Sequence, residues 1–294
     1  MLALTKCVRS SGRLVRVAMV AVMLTLLAGG SAIAQDDPNP GAITFTGGLD
    51  VPSVYFFRGL RQETDPKLTL WPFGDVGLAL FSGSGGLKSV GVNVGVWNSL
   101  QTGSTGSDGI TGHLHYEEDF YSTISLGFGG GVTVTTGYMA LTSPNNMFNT
   151  VKEFQLKVTK AHMLAPYGFL AAELTDDGQA DGGSKKGTYF ELGVGPTFTL
   201  MPSGPTLAIP VKIGVSLKDY YQAGTSDNKF GFFDVGALLT LPLKGVPSKF
   251  GSWNVHAGGD YLRLGDTTAA FNPDENGAPR KNQVIGLFGV GLTY

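Results

Sequence analysis

The stretch Val90-Gly91-Val92-Asn93-Val94-Gly95-Val96-Trp97 puts valine at every second position, with glycine, asparagine and tryptophan between. A β-strand turns successive side chains to opposite faces, so this segment has one wholly apolar face and one mixed face. Leu207, Ile209, Val211, Ile213, Val215 and Leu217 repeat the pattern against Ala208, Pro210, Lys212, Gly214, Ser216 and Lys218. One face suits hydrocarbon and the other suits water, as in the wall of a transmembrane β-barrel.

Followed along the chain, the same period marks about twelve segments, an even number. They run over 43–60, 67–81, 88–98, 114–128, 132–141, 151–161, 166–175, 188–200, 206–217, 230–241, 252–264 and 283–294. Several have the roughly 9 to 11 residues that a tilted strand needs to cross a bilayer. The connections alternate in length: 82–87, 129–131, 162–165, 201–205 and 242–251 are compact, whereas 99–113, 142–150, 176–187, 218–229 and 265–282 are longer and polar. Outer-membrane barrels have short periplasmic turns and long external loops, and the first outer connection, 61–66, departs from this only by being brief. An open sheet edge in hydrocarbon leaves backbone groups without partners, so the expected fold is all-β, a closed antiparallel up-and-down barrel. A water-soluble β-sandwich has no reason to alternate its connections in this way.

Composition agrees with that reading. The 294 residues include 44 glycines, 18 phenylalanines and 10 tyrosines, and only 15% are charged. Lys6, Arg9, Arg13 and Arg16 precede an apolar run over 17–28, and Ala32-Ile33-Ala34 supplies a small-residue cleavage pattern. Residues 1–34 therefore read as a secretory signal peptide and 35–294 as the barrel domain, exported to the outer membrane of a Gram-negative cell. The apolar run is too short for a spanning helix. Cleavage removes the single cysteine, Cys7, and leaves 17 basic against 23 acidic groups, a net charge of −6. That balance excludes a nucleic-acid binder, which needs a basic face. The expected surroundings are outer-membrane lipids.

Strand parity assigns the charged rows to the interior. Arg58, Asp75, Glu117, Asp119, Glu153, Lys157, Glu173, Glu191, Lys212, Asp234 and Asp260 point inward on this reading, joined by His115, Gln155, Asn254 and His256. Eight acids against three bases imply a negative lumen and a weak preference for cations. The alternative is that Arg58, Lys157 and Lys212 pair with neighbouring carboxylates and hold a filled interior together. Trp71, Phe73, Tyr167, Phe169 and Tyr189 also face inward, where they pack or narrow the passage. Glu118 and Arg263 fall on the lipid-facing row, which places them near the rim or at a bulge. Trp253, Tyr261, Tyr138, Phe128 and Tyr294 suit the interfacial aromatic girdles.

Val284, Gly286, Phe288, Val290, Leu292 and Tyr294 alternate to an aromatic C-terminus. Phe288, Val290, Leu292 and Tyr294 resemble the terminal signature that the barrel-assembly machinery reads. The run Ser53-Val54-Tyr55-Phe56-Phe57-Arg58-Gly59-Leu60-Arg61-Gln62, followed by Asp65-Pro66, resembles the N-terminal pattern of the TorF-type porin family of proteobacteria. The resemblance implies a pore, with Arg58 as the constriction residue near the outer end of the first strand and Gly59 permitting a bend there.

Other motifs carry less. Gly127 to Gly131 lacks a following G-K-[ST] and reads as a tight turn, and Gly183-Ser184-Lys185-Lys186-Gly187-Thr188 fails the same test. Asp176, Asp177 and Asp181, like Asp274 and Glu275, read as solvated acidic loops rather than Ca²⁺ sites. His113 and His115 share a face, and His115, Glu117 and Asp119 share a parity that loosely fits a barrel protease, while a barrel phospholipase needs a serine oriented by histidine. The reading is a passive porin for small hydrophilic solutes, not an enzyme and without cofactor or metal. A non-conducting envelope scaffold is the second reading and an outer-membrane hydrolase the third.

Overall fold

The computed structural model describes residues 41–63, 65–105, 112–176, 185–223 and 226–294; the segment read as a signal peptide, along with Asp177 and Asp181, lies outside the described residues. One antiparallel sheet of fourteen hydrogen-bonded segments closes on itself. Two staves are each made of two segments, so the barrel has twelve strands. They are β1 Ile43–Pro52, β2 Thr69–Ser82, β3 Leu87–Gln101, β4 His115–Phe128, β5 Val132–Thr142 and β6 Val151–Lys160. The second half comprises β7 Tyr167–Glu173, β8 Thr188–Val194 with Thr197–Thr199, β9 Thr206–Ala208 with Val211–Lys218, β10 Phe230–Pro242, β11 Ser252–Leu264 and β12 Asn282–Thr293.

The breaks in β8 and β9 fall at Pro196 and Pro210, which have no N–H to give the ladder. Their carbonyls still accept, from Ile209 N–H at 2.9 Å and Gly236 N–H at 2.9 Å, so pairing resumes on either side. β12 returns to β1 in register Leu49↔Val290, and Phe45 and Tyr294 exchange backbone bonds of 2.6 and 2.8 Å at the seam. No polar edge is left for lipid to meet.

The outward row carries large apolar side chains: Val94 is 57% exposed, and Phe120, Ile124, Phe154, Leu192, Ile213 and Phe288 are exposed with it. An exposed belt of this extent is costly in water and favourable against acyl chains. Glu118 and Arg263 lie on this row close to the long-connection ends of β4 and β11, clear of the midplane.

The first strand differs from the sequence reading. β1 stops at Pro52 rather than running to residue 60, and the chain turns into the barrel as a hairpin that pairs Phe56–Phe57 with Leu60–Arg61. Val54-Tyr55-Phe56-Phe57 is apolar at consecutive positions, so it cannot divide between lipid and water as a wall strand must. Arg58 at φ 48° and Gly59 at φ 83° form the two-residue tip, since tight hairpins of the mirror-image type need positive φ at both central positions. Arg58 is thus on this inner hairpin and not on a wall strand.

The hairpin builds a core inside the long-connection half of the barrel. Tyr55 lies fully buried against Trp71, Trp97 and Tyr116, with ring centroids 5.3, 5.5 and 6.3 Å away. Leu141, Val151, Leu262, Leu264, Ile285 and Leu287 close around it, all from the ends of strands that lead to long connections. Gly214 and Gly231 stand where the rings of Phe232 and Tyr221 occupy the space a Cβ would take. Absent side chains on the inward rows leave room for the inner aromatics.

Candidate functional site

The interior has two tiers. In the tier beneath the long connections, the turn of the inner hairpin aims Arg58 at β6. Its Nη1 and Nη2 donate to Glu153 Oε1 and Oε2 at 2.6 and 2.8 Å, and Nη1 also donates to the Tyr220 hydroxyl at 2.8 Å. The guanidinium stacks 4.6 Å from the Phe57 ring centroid and 4.7 Å from that of Tyr189. A planar fork meeting both carboxylate oxygens is geometrically selective, and the ring faces stabilise the same charge. The Tyr221 hydroxyl donates to the Arg58 carbonyl at 2.7 Å, so the connection after β9 grips the hairpin tip from the other side.

More bonds hold the two ends of this hairpin. Ser53 N–H donates to the Gly286 carbonyl at 2.6 Å, and the Tyr116 hydroxyl donates to Gln62 Oε1 at 2.8 Å. The buried Glu63 accepts from the Thr69 hydroxyl at 2.7 and 2.8 Å; burial pushes its carboxyl upward, against the lowering effect of those bonds. Beneath Tyr55, the buried Glu117 and Asp119 face Glu153 and share its shell with Arg58. Glu173 accepts from Gly187 N–H at 2.6 Å and ties the ends of β7 and β8.

Gly59 shows how closely the tip fits. A methyl there would meet the Phe232 ring at 2.9 Å on a residue already at φ 83°. Gly59→Ala is expected to destabilise the docked hairpin by about 1–3 kcal/mol, read as faster amide exchange over 54–62 with the exchange of β3–β5 unchanged.

The second tier lies beyond this core and is polar. Glu191 accepts from the hydroxyls of Tyr167 at 2.7 Å and Tyr189 at 2.5 Å. Lys212 pairs with Asp234 at 3.4 Å, and Lys157 lies 4.5 Å over the Tyr167 ring. Asp260 stands next to Asp234 on the neighbouring strand. Asp75 accepts from Asn93 Nδ2 at 2.5 Å. His256 sits between Asp50 at 2.9 Å and Asn254 at 3.0 Å. Its Asp50 partner was not among the residues singled out from sequence, although it shares the inward parity of Gly48. His115 bonds Asn98 at 2.9 Å, and the His113 carbonyl accepts from Asn145 Nδ2 at 3.1 Å.

Sequence reasoning also missed Tyr55, Tyr220 and Tyr221, which shape the upper tier. The signal was present: Val54 to Phe57 and Tyr220-Tyr221 are consecutive apolar side chains within segments that should be polar or alternating. On the C-terminal strand Phe288 and Tyr294 are exposed, whereas Ile285 and Leu287 are buried in the core.

The sequence matches no family model and no curated relative. Solved structures that resemble the chain are barrels. The NanC porin is 13% identical with a TM-score of 0.41, over 85% of this chain and 99% of that one. Outer membrane phospholipase A from Escherichia coli is 12% identical with a TM-score of 0.46, over 89% and 95%. The β domain of the Bordetella autotransporter BrkA is 13% identical with a TM-score of 0.43, over 86% and 98%.

Proposed function

We propose that this chain is an outer-membrane channel for small hydrophilic solutes, closed at rest on its external side by the inner hairpin over 54–62. The contrast between the two tiers carries the reading: a packed aromatic core under the long loops, and below it a polar interior in which Lys212, Glu191, Asp50 and His256 are still partly reached by solvent. Charges that still meet solvent suit a passage for water and ions better than a filled interior, where partly paired charges are costly. The basic and apolar segment over 6–34, which reads as a signal peptide, and the alternating row Phe288, Val290, Leu292 and Tyr294 support export and delivery to the barrel-assembly machinery, and the 53–66 resemblance to TorF-type porins points the same way.

Planar-bilayer recording of the folded full-length barrel tests it. Wild type is expected to show brief, infrequent steps, and variants that loosen the hairpin longer ones. If neither conducts, the scaffold reading replaces this one. A hydrolytic role is not favoured at His256, because both of its ring nitrogens are engaged, by Asp50 and Asn254.

Cation preference follows from the excess of acids around Lys157 and Lys212. In a salt gradient, Asp50→Asn with Asp260→Asn is expected to move the reversal potential towards that of a non-selective pore. An unchanged potential in steps of normal size refutes the acidic-lumen explanation.

A further inference from the structure

We infer that the outer rim of β10–β12 binds the phosphate-bearing headgroup of an outer-leaflet lipid. Arg263 is the starting point. It lies on the lipid-facing row of β11, in register with Phe233 on β10 and Asn282 on β12. A charge on that row costs about 2–4 kcal/mol at the midplane but about 0–1 kcal/mol near the interface. Tyr261, one outward position deeper, is exposed and is a residue type concentrated at headgroup level.

The Arg263 guanidinium contacts an amide rather than a carboxylate. Nη1 donates to Asn282 Oδ1 at 2.8 Å, and the same oxygen accepts from the Tyr261 hydroxyl at 2.8 Å. This leaves an oriented fork whose geometry matches phosphate. Around it is a depression of about 300 Å³, lined by Lys229, Phe230, Arg263, Asp266 and Lys281 among others. The two lysines come from the connections before β10 and before β12, so three bases from separate parts of the chain meet at one rim.

Two acids are also present. Lys229 Nζ pairs with Asp227 at 2.6 Å and Lys281 Nζ with Asp266 at 2.5 Å. Burial opposes the Asp227 charge, but Lys229, the Ser216 hydroxyl and the Asp219 N–H outweigh it and hold the carboxyl below its usual range; Lys281 does the same for the exposed Asp266. The carboxylates therefore stay charged and orient the ammonium groups. Exposed pairs of this kind are weak, so each lysine can also meet an arriving phosphate. Among the described residues Arg263 pairs with no carboxylate, so these three bases outnumber the two acids they meet.

A lipid is favoured over free phosphate by what lies beside Arg263 and directly below it. Phe233, Tyr261 and Val284 form an exposed apolar surface continuous with the basic rim. Headgroup and acyl chain would thus be held by one continuous patch. The inference rests on the long loops facing outward and not on conduction, so a barrel that never conducts leaves it standing.

The test is native mass spectrometry of the detergent-purified, heat-modifiable barrel titrated with bis-phosphorylated lipid A. Wild type is expected to retain one equivalent. R263Q should weaken it about fivefold and R263Q/K229Q about 25-fold, at about one interfacial basic group per step. R263K, which keeps the charge, should lie between wild type and R263Q. Fully dephosphorylated lipid A should bind wild type as weakly as the phosphorylated form binds the double variant. K88Q/K160Q, at the short-turn rim, should match wild type. Equal retention by wild type and R263Q/K229Q overturns the proposal, as does equal loss in K88Q/K160Q. Displacement by inorganic phosphate alone would make this a phosphate site and not a lipid site, and would also overturn it.

Discussion

Replacing residues 54–62 with a short Gly-Ser bridge should convert brief, infrequent conductance into steps that stay open and are at least severalfold larger. The segment supplies Val54, Tyr55, Phe56, Phe57 and Leu60 to the inner core, and no wall strand depends on it for pairing. Its removal leaves Trp71, Trp97, Tyr116 and Tyr189 lining an emptied outer half, with the staves and their ladder intact. The folded state is checked by heat-modifiable migration and the pore by bilayer recording. A folded barrel with no gain in conductance would mean that the charged tier below closes the path instead.

The second large effect concerns the ion pair that docks the hairpin. The side chains of Arg58 and Glu153 are 9% and 1% exposed. Removing one partner of a buried pair strands the other charge and costs about 3–5 kcal/mol, whereas replacing both by well-packed apolar groups is near neutral. Glu153→Ala is therefore expected to release the hairpin: the Phe56, Phe57 and Leu60 amides exchange about a hundredfold faster or more, and open events lengthen. Arg58→Met with Glu153→Met should return both readouts close to wild type. If the single and double variants behave alike, the aromatic packing holds the hairpin and the pair contributes only its geometry. In either variant the denaturant midpoint of the barrel should move little, since the hairpin can leave without breaking the ladder.

Together these experiments separate wall from stopper, and the distinction matches how each was legible. Ser252–Leu264 of β11 could be read to the residue because Trp253, Val255, Ala257, Tyr261 and Asn254, His256, Asp260 divide between two environments at every step. The strand read longest past its end, β1, stopped where that division ended. Beyond Pro52 both parities turn apolar, and the same doubling at Ile285, Leu287, Leu262 and Leu264 marks the wall positions that face the hairpin. Apolar residues on an inward row mean that something apolar fills the inside, a signal that the sequence itself carries.

Alternation is a local property: each residue meets lipid or lumen according to its own position, and the chain therefore carries strand number, closure and connection lengths openly. The pairing of Arg58 with Glu153, separated by 95 positions, is of another kind. It depends on where a hairpin tip arrives inside a closed cylinder, on Gly214 and Gly231 leaving room for rings from other segments, and on a register accumulated around twelve staves. Those relations arise from volume and geometry in three dimensions, which is why the acids of the interior could be named in advance but their partners could not.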